Sequence, residues 1–406
     1  MALNQALSGI NGAQSDLNVI ANNIANANTT GFKGSRAEFA DIYAVTGINL
    51  SATAVGSGTR LTDVAQQFAQ GDIQTTGNSL DLAISGNGFF VVNTGNGYAY
   101  TRAGAFHQDP AGNVVTEDNN ALQVYPYSTA SNSFDTSTLT NLNLVTAQSS
   151  AKPTTTAVVS SNLPADATAP TLAFDPGNPA TFNQSSTFTV YDSLGSSHQA
   201  TAYYVKTGTN TWNVNLYVDG NSAGTQALTF DSTGALATPA NGTVAFNPVT
   251  YANGANPQTL SINFGKTTQY GTDYAAGTIS QDGFTAGALS SIDIDSTGIV
   301  TANYSNGQSS KIGQLAMANF QNLQGLRQLG SASWMSSTDS GTAVMGTAAS
   351  GQYGTIQSGA LEESNTSDTT QQLVDMIQAQ RNYQANAQVL STDNTLASTL
   401  FNAVSR

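Results

Sequence analysis

Apolar residues near the start of the chain recur at helical spacing. Leu3, Leu7, Ile10, Leu17, Ala21 and Ile24 follow a three–four rhythm, with Gln14 its polar exception, and Ala6, Ala13 and Ile20 widen the stripe. The spacing predicts a helix over residues 3–27, about 35 Å long, stopped by Asn26, Asn28 and Thr29-Thr30-Gly31. The far end repeats the pattern. Asp368 and Gln371 stand at capping-box spacing, Asp replacing the usual Ser or Thr. Behind them Leu373, Met376, Ile377, Tyr383, Leu390, Ala397, Leu400 and Val404 recur at helical intervals, with no Gly or Pro from Leu373 to Arg406. Both predicted helices carry Asn, Gln, Ser and Thr on the polar face rather than Lys and Glu. Each stripe must be covered. Two termini paired as a hairpin and a multi-chain bundle both satisfy the periodicity.

Between the ends the pattern switches to period two. Val, Thr, Tyr and Phe alternate with polar residues, and turn signals recur at short spacing. Asn-Gly pairs occur at Asn87-Gly88, Asn96-Gly97, Asn241-Gly242, Asn253-Gly254 and Asn306-Gly307, and several of these suit tight hairpins. An Asp-x-x-Gly turn recurs at Asp109–Gly112, Asp192–Gly195, Asp231–Gly234 and Asp295–Gly298. There Asp can accept a bond from the turn backbone and Gly can take positive φ. Pro, Ala, Ser and Thr thicken over residues 147–185, and a second seam lies near Thr278–Gly283. The fold class that follows is mainly β with terminal α-helices: nested β domains, one inserted in another, plus a coiled-coil-like pair of N- and C-terminal helices. The expected division is 1–33 and 362–406 as a terminal helical core, 34–75 as a polar, irregular connector, 76–146 and 283–361 as an inner β domain, and 147–282 as an inserted outer β domain.

Composition narrows the function classes. The chain has 406 residues, too many for one ordinary core. Charged residues are 9 %, against about 25 % in ordinary soluble domains. Such a surface suits self-assembly, because few charges need desolvating on contact. A net charge of −14, with only 11 scattered Lys and Arg, argues against nucleic-acid binding. No apolar run approaches the roughly 18 residues of a spanning helix. There is no cysteine, hence no disulfide or thiol chemistry. The start, Met1-Ala2-Leu3-Asn4-Gln5, has neither a positive n-region nor an apolar h-region, so the chain is expected to remain cytoplasmic or to leave without a cleaved signal peptide.

No catalytic, cofactor or metal constellation assembles from the sequence. His107 and His198 are far apart. Asp192, Ser193, Ser196, Ser197 and His198 put the members of a hydrolytic triad close together, but in an Asp-x-x-Gly turn these groups ordinarily satisfy backbone. Asp293 and Asp295 share a strand face, yet no distal Glu completes a calcium loop. The turn reading is preferred for both.

The termini nevertheless resemble a known family. Ala21-Asn22-Asn23-Ile24-Ala25-Asn26-Ala27-Asn28-Thr29-Thr30-Gly31-Phe32-Lys33 resembles the N-terminal signature of the flagellar rod and hook family of axial proteins. Gly359-Ala360-Leu361-Glu362-Glu363-Ser364-Asn365, then Met376-Ile377, Gln380-Arg381-Asn382-Tyr383 and Asn386, resembles its C-terminal partner. The match departs at Asn365-Thr366, where the family usually places an aliphatic residue after the Asn. Leu80 to Phe90 and Tyr100 to Phe106 resemble the opening of the family's shared β domain, and Tyr304 to Gln308 with Ala318-Asn319-Phe320 its returning half. Val190-Tyr191-Asp192-Ser193-Leu194-Gly195 with His198 looks like the insert of the hook branch, which with the length points away from the shorter distal rod proteins.

The resemblance implies a non-enzymatic structural subunit with no cofactor. It would polymerise with itself into a flexible, curved extracellular tube that links rod to filament and transmits torque. The implied partners are the rod, the hook cap, the hook–filament junction proteins and the flagellar type III export apparatus, without nucleic acid or membrane insertion. The implied assembly residues are Leu3, Leu7, Ile10, Leu17, Ile20, Asn22, Asn23, Ile24, Asn26, Gly31 and Phe32, and Leu373, Met376, Ile377, Gln380, Arg381, Tyr383, Asn386, Leu390, Leu396 and Leu400. The stripe of the first helix would face Leu373, Ile377, Leu390, Leu396 and Leu400 within and between subunits, polar faces would line a central channel, and Phe32, Phe39 and Tyr43 would anchor the connector. In the free monomer the helices should be largely disordered for want of partners.

Overall fold

The computed structural model describes residues 2–42, 56–144 and 149–404; Tyr43 and the side chain of Val404 lie outside them. The architecture is mainly β with one long helix at each end: α1, Ala2–Ala25, and α2, Thr369–Val404. Asp368 caps α2, its Oδ1 accepting from the Thr370 N–H at 3.0 Å. The other half of the expected capping box is absent. Gln371 turns forward to donate to Asp375 Oδ1 at 2.9 Å instead.

The chain forms two compact units. The first comprises Met1–Ala147, Ile292–Ala302 and Ser310–Arg406. Its main sheet runs, from neighbour to neighbour, Ser309–Asn319, Ala121–Ser128, Phe89–Asn93, Tyr98–Thr101, Ser333–Met335 and Arg327–Gly330. Strands from the two sequence halves interleave, as in the pairing of Phe89 with Ala318 and of Phe90 with Met317. Phe89, Val91, Tyr100, Ala316, Phe320 and Trp334 form the core beneath. Phe68, Phe89 and Trp334 meet with ring centroids 5.6–5.9 Å apart.

The second unit comprises Gln148–Ser291 and Asn303–Ser309. It holds two five-stranded sheets. One is a meander of Gln184–Tyr191, Ser197–Gly208, Thr211–Val218, Asn221–Phe230 and Leu236–Thr238. The other centres on Thr156–Pro164. Alternate residues point inward, as the period-two pattern predicts: Phe188 and Val190, then Ala200, Ala202 and Tyr204, then Trp212, Val214 and Leu216.

The four Asp-x-x-Gly turns share one geometry. Each Gly N–H donates to the Asp carbonyl (2.9–3.1 Å), and each Asp Oδ1 accepts from the backbone N–H of the residue after the Gly (2.7–3.1 Å). The Gly φ values are +78 to +85°. Two of the Asn-Gly sites form longer turns. At Asn96-Gly97 and Asn306-Gly307 only the Gly has positive φ, closing a longer turn than a two-residue hairpin. A true two-residue hairpin sits at Asp219-Gly220, where both residues have positive φ and Val218 pairs with Asn221.

The segment 34–75 is more regular than its polarity implies. Ser35–Asp41 and Thr59–Gln66 pair as an antiparallel ribbon with a bulge at Glu38/Phe39, and Ile73–Thr75 pairs with Ala360–Glu362. Cross-strand backbone bonds, and not an alternating apolar face, hold the ribbon; Phe39, Leu61 and Val64 stay exposed on it.

Candidate functional site

α1 and α2 run antiparallel. Asn23 Nδ2 donates to Gln372 Oε1 at 3.2 Å near one end of the seam. Near the other, a Cβ placed on Gly9 would lie 2.5 Å from Asn386 Oδ1. Small residues therefore make the close approach. Ala6, Ala13 and Ile20 are buried on α1, and Ala379 is the only buried residue of α2 among the described residues. Ala6, Ala13 and Ile20 are the residues that seemed merely to widen the stripe.

Within one copy, most of the large apolar residues of the predicted set stay partly or fully exposed. Of the predicted set, Ile20, Asn23, Gly31 and Phe32 are buried. Ile10, Leu17, Ile24, Asn26, Met376, Asn386 and Leu390 are half-buried. Leu3, Leu7, Asn22, Leu373, Ile377, Gln380, Arg381, Tyr383, Leu396 and Leu400 are exposed. The reason is geometric. Gly and Ala permit the helices to approach closely, which turns the larger residues outward. The 36-residue α2 also outruns the 24-residue α1, so Leu396, Leu400 and Phe401, at 63–75 % exposure, lie past its end. Asn4, Asn11, Asn18 and Asn22 form an exposed polar strip on α1.

The N-terminal signature ties this helix pair to the β structure of the first unit. Asn23 donates to Ser35 O at 2.8 Å and accepts from the Ser35 N–H at 2.9 Å. Gly31 has φ +67°, and a Cβ there would lie 2.5 Å from the Ala103 nitrogen, so only glycine fits. Its N–H donates to Glu362 O at 2.8 Å. Lys33, 1 % exposed, reaches Glu362 Oε1 at 2.5 Å and Ala69 O at 2.9 Å. Arg102 donates to Glu362 Oε2 at 3.1 Å and to Gly86 O at 2.6 Å. Glu362, fully buried, also accepts from the Gly71 N–H at 2.9 Å. Burial pulls the Lys33 ammonium below its ordinary range while Glu362 opposes that pull, and Arg102 is lowered by the same balance. Asn365 accepts from the Gly34 N–H at 2.7 Å. Thr366, the departure from the family pattern, is buried yet satisfied: its hydroxyl reaches Asn23 O at 3.1 Å.

Lys33, Arg102, Glu362 and Asn365 were absent from the predicted site. Their signal lay in the sequence, Lys33, Glu362 and Asn365 in the two terminal signatures and Arg102 in the Tyr100–Phe106 stretch, but their partners are up to 329 residues apart.

The second unit holds the candidate triad. His198 Nε2 lies 3.1 Å from Asp192 Oδ2 and Nδ1 lies 2.5 Å from Asp219 Oδ2. Both ring nitrogens are taken by carboxylates, so neither is left to activate a serine. Asp192 spends its other oxygen on the turn backbone. Burial opposes the ionisation of Asp192, but hydrogen bonds led by Asn253 and His198 outweigh it and hold this carboxyl far below its usual range. Burial likewise pulls His198 down, and its bonds to Asp219 and Asp192 overcome that and raise it. Among the described residues no His, Asp or Glu cluster is arranged to hold a metal ion, and no helix is long and apolar enough to cross a membrane.

Comparison with known proteins gives this arrangement a family. Residues 3–33 match the flagella basal body rod protein model, 83–168 the flagellar hook protein FlgE/F/G D1 domain, 162–284 the flagellar basal body protein FlaE D2 domain, and 357–403 the flagellar basal body rod FlgEFG protein C-terminal model. The flagellar hook protein FlgE of Escherichia coli K12 is 40 % identical over 99 % of this chain and all of its own length. That of Salmonella typhimurium is 38 % identical over 99 % and 100 %, and that of Treponema pallidum 32 % over 98 % of each. The crystal structure of the Helicobacter pylori flagellar hook protein FlgE2 covers 70 % of this chain and 99 % of its own, at 14 % identity and TM-score 0.50, a likeness of fold. With identities of this level over both full lengths, and with the terminal signatures placed as described, the chain belongs to the flagellar hook protein family.

Proposed function

We propose that this chain is the structural subunit of the flagellar hook, polymerising into a hollow, curved tube outside the cell that joins rod to filament and carries torque between them. The observation that carries the reading is the helix pair. α1 and α2 pack through Gly, Ala and Asn and leave Leu3, Leu7, Leu373, Val374, Ile377, Val389, Leu396, Leu400 and Phe401 at 40–75 % exposure. Covering one such side chain is worth about 1–2 kcal/mol, so nine of them form a strong drive toward other copies. The polar strip Asn4, Asn11, Asn18 and Asn22 is then free to line the bore. The signature residues Asn23, Gly31, Phe32, Lys33, Glu362 and Asn365 hold helix pair and β sheet in a fixed relation. Bending of the hook falls to charge-poor outer surfaces, whose shallow contacts exchange without breaking ion pairs. The role needs no catalysis. Export through the type III apparatus and contacts with the cap and junction proteins belong to the same reading.

The test is deletion of the gene, followed by electron microscopy of purified basal bodies. Complete rods ending bare are expected. Truncated rods would move the chain inward to the rod, and intact hooks would overturn the reading. Circular dichroism of the monomer checks the coupled folding of the helices; monomers with α1 and α2 already fully helical would contradict it.

A further inference from the structure

We propose that Arg381 of one copy docks in the groove between α1 and α2 of a second copy, as the cationic partner of Asp16 and Asp375. This rests on the polymerising role proposed above and names the contact that sets its register.

The terminal helices are almost free of charge. Asp16 is the only charged residue of α1, and α2 carries only Asp375, Arg381 and Asp393. Asp16 and Asp375 both line one cavity of about 540 Å³ at the seam of the two helices, together with apolar Val19 and Ile20. Burial and the neighbouring charge of Asp375 both push the Asp16 carboxyl above its ordinary range. No basic group lies within ion-pair distance of either acid among the described residues. Arg36 also lines the cavity, but its exposed guanidinium is bound to Glu38 at 2.8 Å. Covering this groove with another helix would leave two like charges buried, a severe cost unless the incoming face brings a cation.

α2 carries such a face. Arg381 follows the buried Ala379 by two positions, about 200° round the helix, and so points away from α1. It is exposed and has no carboxylate within ion-pair distance among the described residues. Val374 and Ile377, seven and four positions before it, share its face at 55 % and 49 % exposure. An apolar pair followed by one cation thus meets a groove with an apolar wall and two carboxylates. Within one chain the two surfaces point apart, so they can meet only between copies.

The test is polymerisation of the purified full chain, followed by sedimentation and electron microscopy at low salt. Arg381→Glu alone, and Asp16→Asn with Asp375→Lys alone, should each raise the critical concentration at least tenfold. An equimolar mixture of the two variants should assemble near the wild-type concentration, because each then supplies the charge the other lacks. Monomer unfolding curves matching wild type keep misfolding out of the comparison. Wild-type assembly by Arg381→Glu alone would overturn the proposal, and so would a mixture that stays monomeric. A wild-type chain that never polymerises would instead overturn the hook reading beneath it.

Discussion

Replacing Glu362 with Gln probes the link between the terminal signatures most directly. The triad Lys33–Glu362–Arg102 carries two positive charges and one negative, all nearly or fully buried. In the variant both cations lose their counter-ion, and an amide donor takes the place of one acceptor oxygen amid three donors: Lys33 Nζ, the Gly71 N–H and an Arg102 nitrogen. Stranding buried charge costs about 3–5 kcal/mol. Replacing Lys33 with Met should cost far less. It leaves Arg102 and Glu362 as a neutral pair and strands chiefly the Ala69 carbonyl, a loss of about 1–2 kcal/mol. Trp334 reports on the first unit, and Trp212 of the second can be silenced by Trp212→Phe. With a urea m-value of about 3 kcal/mol/M, the Trp334 transition should move down by about 1–1.7 M in Glu362→Gln and by about 0.3–0.7 M in Lys33→Met. A larger shift for Lys33→Met than for Glu362→Gln would refute the reasoning, as would a Glu362→Gln curve that overlays the parent.

Gly31→Ala should destabilise the first unit by more than about 1 kcal/mol, since it adds a forced contact to the cost of positive φ; thermal unfolding followed by Trp334 reads this. Ser331 and Ala332 hold φ near +48° in a two-residue hairpin, where Asn-Gly is preferred. Ser331→Asn should therefore raise the stability of that unit by a few tenths to about 1 kcal/mol, and a loss would contradict the turn assignment. His198 sets a pH dependence in the second unit. Its folded pKa lies above the ordinary 6.5, so its stabilisation is full below that value and fades as pH rises through the folded pKa. Urea curves followed by Trp212 should weaken over that interval in the parent and stay flat in His198→Gln; parallel curves would exclude a stabilising role for the bonds of His198 to Asp192 and Asp219. At low pH, Asp282 acts in the opposite sense. Burial opposes its ionisation, but hydrogen bonds led by the Thr156 N–H lower it to about 2, so its stabilisation is lost as pH falls from about 4 toward 2, and Asp282→Asn should remove that slope.

Much of the molecule was legible in one dimension. The Asp-x-x-Gly turns close within five residues, so residue type and spacing suffice to specify them, and the same holds for the Asp368 cap and the period-two strands of the second unit. The helices were equally plain, because periodicity is a property of the helix alone. Which face of a helix is covered is a different kind of fact. Leu3, Leu7, Leu373 and Ile377 read as the seam because they are large and apolar, yet Gly9, Ala13 and Ala379 make it. How closely two helices approach depends on what both present at each crossing, which neither stripe records by itself. The ribbon at 35–66 escaped notice for a related reason: its backbone pairing leaves no apolar alternation to read. The deepest divide lies at Glu362. Sequence supplied the residue types of the triad and even their signatures. Only the folded chain could bring Lys33, Arg102 and Glu362 together across 329 residues, because an ion pair is specified by distance in space, and distance along the chain says nothing about it.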